Sequence, residues 1–253
     1  MRSPSLLSSA EALPAALPHR LRARIVRVAD LGEADTARMF ALMRMYYDAV
    51  TEEGFRADLA RKDAVILLCD DGAVQGFSTL VTLEQAIGGR RVRAVFSGDT
   101  VLEKAYWGQR ALGRAFLGYL LRQKLRRPFT PLYWLLIAKG YKTYLLMANN
   151  FAEHYPRYER ATPPDRKALA DAFYQTLFPG EYDPGTGRIR FAATSCRLKS
   201  GVAEIADEWL GSHPRIAFFQ QANPAWREGV ELACLARMTF AMPLKYAWKA
   251  LRG

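Results

Sequence analysis

Between a strand-like run and a strongly helical one, the chain passes through Trp107 to Phe116, WGQRALGRAF. A strand, a short glycine-containing turn and a helix N-terminus in that order form a ready site for phosphate or pyrophosphate. The first turn of a helix leaves its amides without intrahelical partners, and the macrodipole adds partial positive charge. Gly108 and Gly113 carry no Cβ, so a ligand or a neighbouring strand can approach the backbone closely. Arg110 and Arg114 add fixed positive charge beside the turn. Glycine-containing loops also precede helices that bind nothing, so the surrounding order of elements decides the reading.

A length of 253 residues suits one large domain or a domain with a substantial insertion. Half the residues are hydrophobic and 24% are charged, which is enough to bury a core and argues against wholesale disorder. The net charge of +11 argues for an acidic partner: a nucleotide-like cofactor, an acidic carrier protein, an anionic membrane surface or nucleic acid. Cys69, Cys196 and Cys234 are odd in number, far apart and without C-x-x-C spacing, which favours buried thiols in a reducing compartment such as the cytoplasm. His19, His154 and His213 are too dispersed to suggest a metal site, and no apolar run reaches membrane-spanning length. Residues 1–20 read as a mobile tail, since Glu11 and Pro14 interrupt any signal-peptide core.

The pattern predicts a strand over 24–28, a helix over 31–50, and strands over 64–69, 74–87 and 90–102, the last two joined by Gly88-Gly89 as a hairpin. A helix over 109–125 follows, ending in Arg122, Lys124, Arg126 and Arg127, basic residues that complement the dipole or offer a ligand site. Thr130-Pro131 and Gly140 bracket a short apolar helix over 132–139. A strand over 141–148 and a helix over 149–158 come next. Beyond 163 the expectation is a helix over 165–177, a strand over 188–193 and a helix over 202–210. A closing hairpin of strands over 215–222 and 230–240 and an amphipathic helix over 243–252 complete the chain.

This order resembles the GNAT (general N-acetyltransferase) acyltransferase superfamily. Arg110-Ala-Leu-Gly113-Arg-Ala115 fits the family signature (Gln/Arg)-x-x-Gly-x-(Gly/Ala). Asn149 or Asn150, followed by Ala152 and Tyr155, resembles its Asn-x-x-Ala…Tyr helix, with a spacing that departs from the usual one. The resemblance covers 22–158 and 215–240, and implies an α/β (α+β) fold with a mixed, mostly antiparallel central sheet flanked by helices. Residues 21–253 then form a single acyltransferase domain with a helical and loop insertion over about 160–212, before the last hairpin.

The resemblance further implies acyl-CoA (acetyl-CoA) as co-substrate, with no tightly bound cofactor and no metal. Its diphosphate would be held around Val101, Trp107, Gly108, Gln109, Arg110, Ala111, Leu112, Gly113, Arg114 and Ala115, with Asn149 nearby. Transfer to an amine needs a neutral amine, a stabilised oxyanion and a protonated leaving thiolate. Asp99, on the fourth strand of the family pattern, is the first choice of base, with Glu103 and Glu84 behind it. Gly98 suits a bulge that splays the fourth and fifth strands. Tyr155 leads as acid, followed by Tyr158, and His154 is a further candidate base. Each also has a plain structural reading: Asp99 as a turn cap or arginine partner, the tyrosines as packed rings with satisfied hydroxyls, and His154 as a structural residue.

Aromatic residues such as Tyr133, Trp134 and Phe173 could line a pocket for a long acyl chain or a hydrophobic, lipid-like acceptor, or could form ordinary core. The acceptor is a small-molecule or lipid-like amine. An acidic acyl carrier protein is the alternative donor, as in long-chain N-acyl transferases of this type, and a homodimer is compatible. A non-catalytic basic binding protein of the same fold is the rival reading. Nucleic acid fits poorly, because the arginines are scattered and no recognition motif is present.

Overall fold

The structure is a computed structural model that describes residues 20–192, 197–198 and 205–242. In chain order the first elements are β1 (Arg22–Arg27), α1 (Glu33–Tyr46), β2 (Tyr47–Asp48), α2 (Glu52–Leu59), β3 (Ala64–Asp70), β4 (Ala73–Ile87) and β5 (Arg90–Leu102). Then come α3 (Ala111–Arg126), β6 (Leu132–Ala138), α4 (Tyr141–Ala148), β7 (His154–Tyr155) and α5 (Pro164–Leu177). The remainder comprises β8 (Tyr182–Asp183), β9 (Arg188–Ile189), β10 (Arg197–Leu198), α6 (Asp207–Ser212), α7 (Pro214–Ala222) and β11 (Glu231–Met238).

The main sheet runs β1-β3-β4-β5-β6-β11-β9-β8, with β7 also paired to β11, while β10 and β2 form a separate pair. Among the described strands only β5 and β6 pair in parallel; α3 makes the crossover between them, as a parallel pair requires. The result is a mixed α/β fold built on a large, mostly antiparallel sheet flanked by helices. Gly88 and Gly89 take φ of +58° and +74°, the left-handed conformations that a two-residue hairpin turn between β4 and β5 demands.

Alternation along the strands sorts side chains onto two faces. Ile66, Leu68, Leu80, Val95 and Trp134 pack under α3, α4 and α7. On the other face Val65, Leu67, Phe77 and Val101 pack under α1 and α2, and Phe96, Tyr133 and Leu135 pack under α5. The expected insertion is part of this core. Tyr174 of α5 places its hydroxyl 2.7 Å from the Leu136 carbonyl and 2.6 Å from that of Cys234, and accepts from the Cys234 amide.

Several expectations are corrected. Residues 132–139 form strand β6, not a helix: Leu-Tyr-Trp-Leu-Leu-Ile-Ala is continuously apolar because both faces of a central parallel strand are covered. Residues 141–148 form helix α4, not a strand, with Tyr141, Tyr144, Met147 and Ala148 buried at helical spacing. The predicted helix over 149–158 is irregular chain around β7. Residues 215–222 belong to α7, whose first turn carries Pro214, where a missing N–H costs nothing. The closing hairpin is therefore absent, and β11 enters alone between β6 and β9. Helix α2 was not anticipated, although Thr51 caps it by accepting from the Gly54 amide. The strand expected over 188–193 shrinks to β9, and of the helix expected over 202–210 only the part within α6 is described. The tail over 1–19, Cys196 and the helix over 243–252 lie outside the described residues.

Among the described residues no helix is long and apolar enough to cross a membrane.

Candidate active site

Beyond Leu102 a short turn leads into α3. Trp107 donates its indole N–H to the Leu102 carbonyl at 2.9 Å, Gly108 takes φ of +89°, and the Gln109 side chain accepts from the Leu21 amide at 3.1 Å. Arg110 stands at the cap position and makes no cap hydrogen bond with its own side chain, and the first turn holds no acidic residue. The first turn of α3 thus brings no carboxylate of its own to the positive end of the dipole. Arg110 and Arg114 are both exposed beside it.

The α3 start opens into a cavity of about 60 Å³ on the same face of the sheet. Leu112, Gly113, Phe116 and Leu117 of α3 form one wall. Leu146 at the end of α4, followed by Asn150 and Phe151, forms the opposite wall. Trp134 of β6 also lines it, clamped between Phe116 and Phe151 with ring centroids 4.8 and 4.9 Å away. Its indole donates to Ser97 Oγ at 2.8 Å. The Ser78 and Thr100 hydroxyls, 2.8 Å apart, line the β4–β5 side.

Beside this cavity the pairing of β5 with its neighbours is broken. β5 and β6 pair from Arg93↔Leu132 to Ser97↔Leu136 and no further, while the β4–β5 register jumps between Ser78↔Thr100 and Leu80↔Ser97. Gly98 and Asp99 thus oppose Thr79 alone, the two-against-one count of a β-bulge. Glycine is required here, because a Cβ on residue 98 would lie 2.6 Å from Thr79 Oγ1. That hydroxyl is buried without a hydrogen-bond partner.

On the α2 side of the bulge, Asp99 is half-buried within a cluster of charges. Asp58 accepts from Lys62 Nζ at 3.0 Å and from Arg61 at 2.8 Å, and its carboxyl shares a hydrogen bond with that of Asp99. Lys139, just after β6, pairs with Glu231 at 3.2 Å and lies over the Tyr47 ring. Burial and the neighbouring Asp58 carboxylate push Asp99 up to about 6. Burial also works to raise Asp58, but Lys62 and Arg61 prevail and hold it below the ordinary carboxylate range. Burial raises Glu231, with Lys139 opposing. Two carboxyls joined by one proton, the upper titrating near neutrality, make a proton acceptor suited to physiological pH.

The other anticipated residues are dispersed. Tyr155 is buried in the cluster under α5, where its hydroxyl accepts from Arg160 at 2.9 Å, and it does not line the cavity. Tyr158 is 47% exposed. Among the described residues no tyrosine lines the cavity. Asn149 accepts from Arg215 at 2.5 Å, and its neighbour Asn150 is the one in the cavity wall. Glu103 accepts from Arg38 at 3.3 Å, and Glu84 lies at the hairpin end between Arg91 and Arg127. Val101 points into the core under α1 and α2. His154 is buried, its Nδ1 2.8 Å from the Phe151 carbonyl, and burial lowers its pKa. Burial pushes the Cys234 thiol up, away from reactivity. Among the described residues no group of three or more His, Cys, Asp or Glu could hold a metal ion.

Sequence reading missed Asp58, Lys62 and Lys139 as members of the site, whereas Trp134 is among the aromatic residues it offered as pocket lining. Asp58 and Lys62 stand four apart around the end of α2, a helix that the pattern did not reveal. Lys139 and Gly140 had been read as a helix stop.

No family model matches the chain, and no curated protein matches it. Solved structures similar to it include GNAT-family N-acetyltransferases. A conserved protein from Enterococcus faecalis described as a probable N-acyltransferase shares 16% identity over 52% of this chain and 33% of its own, with a TM-score of 0.39. This chain thus spans about a third of that protein's length. A GNAT family N-acetyltransferase (YhbS) from Escherichia coli, solved in complex with CoA, shares 16% identity over 53% of this chain and 69% of its own, with a TM-score of 0.35. A Trypanosoma brucei acetyltransferase shares 18% identity over 56% of this chain and 97% of its own, with a TM-score of 0.37.

Proposed function

We propose that this protein is a GNAT-type N-acyltransferase that moves an acyl group from acyl-CoA to the amine of a small or hydrophobic acceptor. The observation that carries this reading is the bulge at Gly98–Asp99. It parts β5 from β6 between a cavity at the start of α3, whose cap residue makes no side-chain cap bond, and a carboxyl that burial and Asp58 push up to about 6. The donor's diphosphate sits on the amides of Ala111, Leu112 and Gly113, its pantetheine arm lies in the cavity, and the thioester reaches the parting of the strands. The acceptor amine enters from the Asp58–Asp99 side.

Asp99 takes the proton from the amine, whose lone pair attacks the thioester carbonyl. Bulge amides that leave the β4 ladder are the donors at hand for the oxyanion. The attack forms the C–N bond; collapse of the tetrahedral adduct restores the carbonyl and breaks the C–S bond, and the thiolate takes up one proton for the one the amine gave to Asp99. No tyrosine among the described residues lines the cavity, and the Ser78–Thr100 hydroxyl pair is the proton relay on that side.

The test is a thermal melt with increasing acetyl-CoA, followed by longer acyl-CoAs. Binding at a hundredfold excess over Kd stabilises by about 2.7 kcal/mol, which raises Tm by roughly 5–10 °C in a chain of this size. A flat Tm across CoA thioesters, together with no acyl transfer to any amine in a panel of acceptors, would overturn the reading.

A further inference from the structure

The C-terminal end of α3 and the tip of the β4–β5 hairpin meet at the end of the molecule away from the cavity. Arg91 and Arg127 tie the two together through Glu84, at 3.1 and 2.9 Å. Arg90, Arg122 and Arg126 stand exposed on the same end without an ion pair among the described residues. Among the described residues these five arginines thus have a single ion-pair partner, Glu84. Lys124 takes no part in this surface charge: it is buried, donates to the Thr130 carbonyl at 2.9 Å and lies over the Phe240 ring.

Apolar groups project from the middle of this charge. A turn closed by the Thr130 amide on the Arg127 carbonyl, at 3.2 Å, lifts Phe129 clear of the protein. Phe129 is 97% exposed, Leu125 one helical turn earlier is 60% exposed, and Phe240 is 47% exposed. A ring standing this far out has no packing role. A protein partner would need a pocket shaped to receive it, whereas a bilayer accepts a protruding ring anywhere on its surface. Arginines around an apolar tip are then placed at the level of lipid phosphates.

We propose that this end docks onto anionic phospholipid bilayers, with Phe129 and Leu125 inserted among the headgroups and Arg90, Arg122 and Arg126 pairing with their phosphates. Along α3 the last residue in the cavity wall, Leu117, precedes Arg126 by nine residues, about 13 Å, which sets the docking end apart from the helix start. The proposal is independent of the acyl-transfer reading.

The experiment is sedimentation of the full chain with vesicles of phosphatidylcholine, with or without 30% phosphatidylserine (about a third of the lipid). Binding is expected to the serine-containing vesicles alone and to weaken as salt rises. Phe129→Ala should lower the partition coefficient about tenfold, and Arg122→Ala with Arg126→Ala about twentyfold. Both changes are on exposed side chains, and melting curves would confirm intact folding. A Phe129→Trp variant should blue-shift in emission on vesicle addition. Equal binding to both vesicle types, binding indifferent to Phe129→Ala, or no binding at all would overturn the proposal. So would arginine-dependent binding to duplex nucleic acid in the absence of vesicle binding.

Discussion

Asp99 shows how one carboxyl can serve chemistry at a cost in stability. Burial and the Asp58 carboxylate favour its protonated form, so its folded pKa lies above the unfolded value. Its ionised form therefore destabilises the fold, with the full effect above about pH 6 and none below the free-carboxyl range. Asp99→Asn should thus raise Tm at pH 7 to 8 and lose that advantage on acidification, while lowering kcat about a hundredfold. A carboxylate serving only as a structural partner would give the reverse stability change. Wild-type turnover should rise with pH through about 6 and then level. Removing the like charge by Asp58→Asn should move that limb to lower pH, since Asp99 then ionises more readily; a limb that stays in place would exclude Asp99 as the titrating base. Asp99 and Gly98 were legible in the sequence as a strand carboxylate beside a bulge glycine. Asp58 was not, because only folding brings α2 over that strand.

Two elements shape the site, and each can be perturbed separately. In the β4–β5 ladder, Gly98→Ala would press a methyl group against Thr79 Oγ1. A loss of about 1–3 kcal/mol is expected, measured by urea melts, with turnover falling as the bulge shifts. At the start of α3, Gly113→Asp puts a carboxylate at the third helical position, which the dipole favours. The variant should melt at or above the wild-type temperature, yet its KM for acyl-CoA should rise at least about tenfold, since the charge occupies the expected phosphate position. An unchanged KM would show that the diphosphate sits elsewhere. Apolar runs bounded by the turns at Gly72 and Gly88-Gly89 identified β3, β4 and β5, and the 3.6-residue period identified α3 and α5. They failed at β6, α4 and α7. A strand covered on both faces and a short buried helix are both near-continuous apolar runs, and without alternation local sequence does not separate them.

At the scale of the whole molecule, the parallel β5–β6 pair joined by α3 gives the sheet one position where strands part beside a helix start. The positive charge of the chain has a place there, at Arg110 and Arg114, and another at the far end around Phe129. Acyl-CoA should therefore compete weakly or not at all with lipid vesicles, and simultaneous binding in a flotation assay would show the two ends acting independently. By itself the sequence determined the strand-turn-helix at residues 107–116, the glycine hairpin and the bulge, because backbone φ and missing Cβ atoms act over a few residues. Only the tertiary structure decided that β11 enters alone beside β6, that Tyr155 packs under α5 rather than facing the cavity, and that Asp58, Lys62 and Lys139 gather around Asp99. Those outcomes depend on which apolar faces find each other across the chain, and such pairing leaves no local mark on the residues it joins.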